Sequence, residues 1–157
     1  MGSVLRFVVA VSLPLLIGGV SGMATARGVQ DWYPTLVKPS FNPPSWVFGP
    51  VWTLLYIMMG IAAYLVWQKG LDAEGVRAAL ALFALQLILN GAWSILFFGM
   101  QSPGLAFVEI LVLWLFIALT LFFFWRVSPL AGLLLLPYQL WVTFAAVLNG
   151  SIWFLNR

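Results

Sequence analysis

Residues 104–125 read GLAFVEILVLWLFIALTLFFFW, with Glu109 the one charged side chain in the run. An α-helix needs about 20 mostly apolar residues to cross the hydrocarbon core of a bilayer. Barrel strands would alternate apolar and polar residues over about ten positions, and LFFFW at 121–125 does not alternate. In lipid the backbone must satisfy its own hydrogen bonds, so a helix is the open-ended way across.

Working outward, four more segments meet the same length. They are 130–155, 78–98, 47–67 (without a charge) and 7–26 (interrupted by Pro14). The expected fold is an all-α membrane protein, one bundle of five transmembrane helices over 1–157. Composition agrees: 64% of the chain is hydrophobic and 7% charged, against roughly 25% charged in a soluble domain. The absence of Cys and His removes disulfides, Cys/His zinc sites and triads built on either residue. With no Gly-rich phosphate loop or helical metal motif, no cofactor is expected. The net charge is +3, from seven basic and four acidic residues. The basic residues stand singly at span ends and read as anchors to lipid headgroups, not as a nucleic-acid surface.

The first span has a rival reading as a secretory signal, with Arg6, an apolar run and then Ala24-Thr25-Ala26. The run is longer than a usual signal core, so a retained span is expected. Trp32, Trp46, Trp67, Trp125 and Trp153 fall at span ends, where amphipathic rings suit the interface. Arg6, Lys69, Arg77 and Arg126 on one side balance Arg27, Lys38 and Arg157 on the other, which leaves the orientation open.

The longest connection, 27–45, contains Pro34, Pro39, Pro43 and Pro44, which forbid a long regular helix. It also contains Trp32, Tyr33, Leu36 and Phe41, too apolar a set for a solvated linker. A lid folded over the helix ends and an interfacial anchor are the two readings.

Gln86, Asn90, Trp93 and Phe97 share one face of the third span by their spacing. Trp52 and Tyr56 share a face of the second, and Tyr138, Trp141, Ala145 and Asn149 a face of the fifth. Pro137 leaves the carbonyl of Leu133 without its usual partner and predicts a bend. Glu109 is expected to face the bundle, as a ligand or proton contact or as a hydrogen-bonded packing residue. At about 1.5 Å per residue, Trp52, Trp93 and Glu109 lie roughly 8 Å below the surface carrying the first loop, and Asn90 about 12 Å. Polar and aromatic groups from spans two to five thus converge beneath that loop. Together they predict an apolar cavity with a few polar contacts, although any one of them could be interhelical glue. Phe48 is counted with the candidate lining residues.

Three stretches carry a resemblance. WYPTLVKPSFNPPSWVFGPVWTLLYIMMG (32–60), QLILNGAWSILFF (86–98) and PYQLWVTFAAVLN (137–149) are similar to motifs of the translocator protein family, also called tryptophan-rich sensory proteins or peripheral benzodiazepine receptors. VEILVL (108–113) resembles the acidic position of its fourth helix. The resemblance implies a five-helix bundle, usually a homodimer, whose pocket is closed by the first loop. It also implies porphyrin and isoquinoline carboxamide or benzodiazepine ligands, and in some members cholesterol. Carried over by motif, Tyr33, Trp52, Asn90, Trp93 and Trp141 would line the pocket, and Tyr33, Trp52 and Trp141 match residues linked in some bacterial members to light-dependent porphyrin breakdown. One departure is clear. The animal sterol motif needs a Tyr and then a basic residue, and Gly150-Ser151-Ile152-Trp153-Phe154 supplies neither. Cholesterol is therefore a doubtful partner, and a bacterial cell membrane is the expected location, with the mitochondrial outer membrane as the alternative.

The leading expectation is a receptor or carrier for tetrapyrroles and other flat hydrophobic molecules. Its rivals are an enzyme that degrades bound porphyrin under light and a regulatory scaffold. Gly18 and Gly22 match a small-residue packing motif. Ala78, Ala81 and Ala84 offer a dimer face on span three.

Overall fold

The computed structural model describes residues 2–157. Five helices are present: α1 (Ser3–Arg27), α2 (Ser45–Trp67), α3 (Val76–Ser94), α4 (Pro103–Val127) and α5 (Pro129–Leu155). All five are long and apolar enough to cross a bilayer, and no strand occurs among the described residues. Pro103 and Pro129 open α4 and α5, where a missing N–H costs nothing because the first turn has no partner for it. Ser128 alone separates α4 from α5, so these two helices must be antiparallel neighbours. α5 continues unbroken through Pro137.

The helices close into a ring in the order α1, α2, α5, α4, α3 and back to α1. α1 reaches α2 closely at Gly60, where a Cβ would stand 2.5 Å from the Cα of Val11 and 2.8 Å from the carbonyl oxygen of Ala10. Small residues permit such backbone approach where lipid supplies no hydrophobic drive between helices. The half of the ring towards the α2–α3 turn is mostly apolar, with Thr120 buried but bonded to its own helix. Val66, Val76, Ala79, Phe124 and Ala131 are fully buried there, and Phe83 stacks on Phe124 with centroids 5.6 Å apart. Val20, Met23, Leu115 and Leu140 project outward, as a lipid-facing surface requires. Ala78, Ala81 and Ala84 are also exposed, on the outer side of α3.

The first connection departs from the expected 27–45 loop. Helical backbone continues past α1 as a π-turn at Gly28–Trp32 and a 3₁₀ turn at Tyr33–Thr35, leaving 36–44 irregular. The first proline of the stretch is Pro34, at the start of the 3₁₀ turn, so nothing forbids helix before it. α3 likewise ends in a π-turn, Ile95–Gly99. The two π-turns meet where Gly28 lies against the backbone carbonyl of Phe98, too close for any Cβ.

Candidate functional site

The π-turn of α3 aims Phe97 and Phe98 at the segment above them, and Tyr33 lies across both rings at 6.2 and 5.6 Å. Trp32 meets Phe97 edge-on at 5.6 Å. It is half-buried there. Tyr33 is buried. Its hydroxyl donates to Asn42 Oδ1 at 2.8 Å, and the Lys38 ammonium stands 4.8 Å over its ring. These contacts make a roof.

Below it lies a cavity of about 370 Å³, within the range of small-molecule sites. α2 contributes Phe48, Trp52 and Tyr56, α3 contributes Asn90, Trp93 and Phe97, and α5 contributes Trp141, Ala145, Leu148 and Asn149. Trp52 stacks on Tyr56 at 5.5 Å, while Trp141 packs against Phe48 at 6.0 Å and Phe144 at 5.5 Å. Trp93 stacks on Phe97 at 5.2 Å. Its Nε1 donates to Asn149 Oδ1 at 2.9 Å, and Asn149 Nδ2 donates to the Pro103 carbonyl at 2.8 Å. One side chain thus ties α3, α5 and the start of α4 together.

The floor is a single chain of hydrogen bonds. The Tyr56 hydroxyl donates to Asn90 Oδ1 at 2.7 Å, and Asn90 Nδ2 donates to the Tyr138 hydroxyl at 2.9 Å. The Tyr138 hydroxyl donates in turn to Gln86 Oε1 at 2.8 Å, and Gln86 Nε2 ends the chain near Met59 Sδ at 3.9 Å. Gln86, Asn90 and Tyr138 are all buried, and such groups are tolerated in an apolar interior only when paired. Among the described residues one fully buried donor of a lining residue has no hydrogen-bond partner, Trp141 Nε1.

Of the candidate residues, Tyr33, Phe48, Trp52, Tyr56, Asn90, Trp93, Trp141 and Ala145 line the cavity. Gln86 and Tyr138 lie beneath it as part of the floor. Glu109 is absent from the lining. It is half-buried on α4, and its two carboxylate oxygens are buried without a hydrogen-bond partner. Its calculated depth matched that of the aromatic groups, but depth says nothing of bearing around the ring. α4 turns Ala106, Ile110, Leu113 and Ile117 inward and stands behind α3 and α5.

The fourth wall is α1, through Gly18, Ser21, Gly22 and Thr25. Sequence reasoning missed this wall, treating Gly18 and Gly22 as helix-packing residues only. The signal was present in the i, i+3, i+4, i+7 spacing, which sets four small residues on one face. A Cβ at Gly18 would run into the Tyr56 ring, whereas one at Gly22 would meet nothing within 4 Å. Thr25 spends its hydroxyl on the Ser21 carbonyl at 2.7 Å, which leaves its methyl for the cavity. Outside the ring, a depression of about 600 Å³ between α4 and α5 is lined by Phe107, Leu111, Val147, Phe154 and others. Its one polar side chain, Ser151, is bonded to its own helix, so this surface has nothing to orient a ligand.

A five-helix membrane bundle enclosing an aromatic, lidded cavity is the class of protein that this geometry defines. Residues 10–154 match the TspO/MBR family, and the chain belongs to that family. It is 48% identical to the tryptophan-rich protein TspO of Chlorobaculum tepidum over 98% of this chain and 97% of that one. It is 43% identical to the protein of that name from Archaeoglobus fulgidus over 98% and 99%. It is 42% identical to the translocator protein of Homo sapiens over 94% and 86%. Five spans and these near-full-length prokaryotic matches make it an integral protein of a bacterial membrane. Family membership supports a role as a membrane receptor.

Proposed function

We propose that the protein is a receptor or carrier for flat aromatic ligands, tetrapyrroles among them. The observation that carries this reading is the aromatic cavity beneath the lid, with its hydrogen-bonded floor. Trp52, Trp93 and Trp141 offer ring faces and edges for stacking. A volume of about 370 Å³ suits an isoquinoline carboxamide under the closed lid. A tetrapyrrole with its side chains is larger and requires the lid to move.

A second reading, photochemical degradation of bound porphyrin, is favoured by the shared position of Tyr33, Trp52 and Trp141 on one cavity. Tryptophan beside an excited ring is a competent electron donor. A dark titration of purified protein with protoporphyrin IX, followed by illumination, separates the two. Saturable binding with an unchanged spectrum supports a receptor or carrier. A new product that requires Trp52 and Trp141 supports degradation, and lack of saturable binding removes both.

A further inference from the structure

The lid is held to the bundle by two different kinds of contact. Its first part is held by packing: Trp32, Tyr33 and Leu36 bury against Phe97, Leu148 and Ile152. Its second part makes its hydrogen bonds to the bundle at one residue. Asn156, just past α5, accepts from the Val37 N–H through Oδ1 at 2.9 Å and donates to the Val37 carbonyl through Nδ2 at 2.8 Å. The same Nδ2 donates to the Ile152 carbonyl at 2.7 Å, so both of its hydrogens and the amide oxygen are used. Among the described residues, these are the only hydrogen bonds from the irregular stretch 36–43 to the helix bundle. The others remain inside the lid, from Tyr33 to Asn42 and from Lys38 to the carbonyls of Leu36 and Pro34. Beyond Val37, the edge contact of Phe41 with Phe144 at 6.3 Å is the aromatic hold on the same stretch.

We propose that Asn156 is the latch of the lid and sets the rate at which large ligands exchange with the cavity. This rests on the ligand-binding reading above. A planar amide that engages both backbone groups of one residue fixes orientation as well as distance, and it does so at the boundary between the packed and the loosely held parts of the lid. Swinging out the stretch 37–44 breaks this pair and the Phe41 contact while leaving Trp32, Tyr33 and Leu36 seated as a hinge. The bond to Val37 lies outside the cavity, while Nδ2 also reaches the backbone carbonyl of Ile152, a lining residue. Asn156 is a positioning residue that acts through Val37.

The test is release and uptake of protoporphyrin IX by stopped-flow fluorescence in wild type and Asn156→Ala, with amide hydrogen exchange at Val37 measured on the same samples. The pair occurs in both free and occupied protein, so its loss speeds opening in both. Association and dissociation are each expected to rise about tenfold, with Kd nearly unchanged and Val37 protection lost. A residue that merely supports the fold would weaken binding without faster association. Unchanged rates in a variant whose Val37 has lost protection would overturn the latch, and so would unchanged protection. Failure of the wild type to bind porphyrin would instead sink the ligand reading, and amide exchange alone would then decide whether Asn156 latches the loop.

Discussion

The two halves of the bundle are made from the same helices and obey different rules. Towards the α2–α3 turn, Val66, Val76, Ala79 and Ala131 pack with the stacked pair Phe83 and Phe124. Towards the lid, large aromatic rings stand apart around a void, and the polar groups are chained together below it. Bulky, stiff side chains that cannot interdigitate leave space between them, while small and aliphatic ones close it. The half that packs solidly and the half that holds the cavity are therefore separate, and substitutions should divide along the same line.

The largest effect is expected from Phe124→Ala. Phe124 is fully buried against Phe83, and the void left behind cannot be repaid by lipid. A loss of about 3 kcal/mol of stability is expected, towards the lower end of the usual range because transfer to lipid removes part of the cost. Unfolding in mixed detergent measures it, and porphyrin affinity of the folded fraction should stay at the wild-type value. Tyr138→Phe should follow, costing about 1–3 kcal/mol, because it deprives Gln86 Oε1 of its donor and Asn90 Nδ2 of its acceptor together. If that variant unfolds like wild type, the floor is not a cooperative chain.

Next comes the pair Trp52→Phe with Trp141→Phe. Both positions keep an aromatic ring, so stability should change little, while lost stacking area should weaken protoporphyrin IX about tenfold. Equal affinity in a fluorescence titration would remove these rings from the site. The smallest effects sharpen the choice of walls. Gly22→Leu places a side chain where a Cβ meets nothing and should lower affinity several-fold, with stability held or raised by about 1 kcal/mol of helix propensity. Glu109→Gln should leave affinity unchanged. The reverse pattern would put α4, not α1, on the cavity.

The second of these contrasts marks where reading along the chain stopped. Residues 104–125 were long enough and apolar enough to require a helix, and the stripe Gln86, Asn90, Trp93 and Phe97 followed from helical periodicity alone. Eight of the eleven candidate side chains line the cavity, because large aromatics at helical spacing within one half of the membrane must point somewhere in common. Glu109 stood at the right height on the wrong helix. Gly18 and Gly22 had no side chain to announce themselves, and a cavity wall made by absence leaves only the spacing to find it by.

What the sequence determined by itself was therefore one-dimensional: five spans, the approximate depth of each polar group and the face it occupies on its own helix. These follow from hydropathy and from the fixed rise and twist of an α-helix. What only the tertiary structure decided was the order of helices around the ring, which put α1 beside the cavity and α4 behind it, together with the pairing of Asn156 with Val37 across most of the chain. Nothing in either residue's neighbourhood encodes that order. It is set by which helix surfaces approach closely enough to pack, as at Gly60 and Gly28, and such contacts exist only once all five helices are assembled.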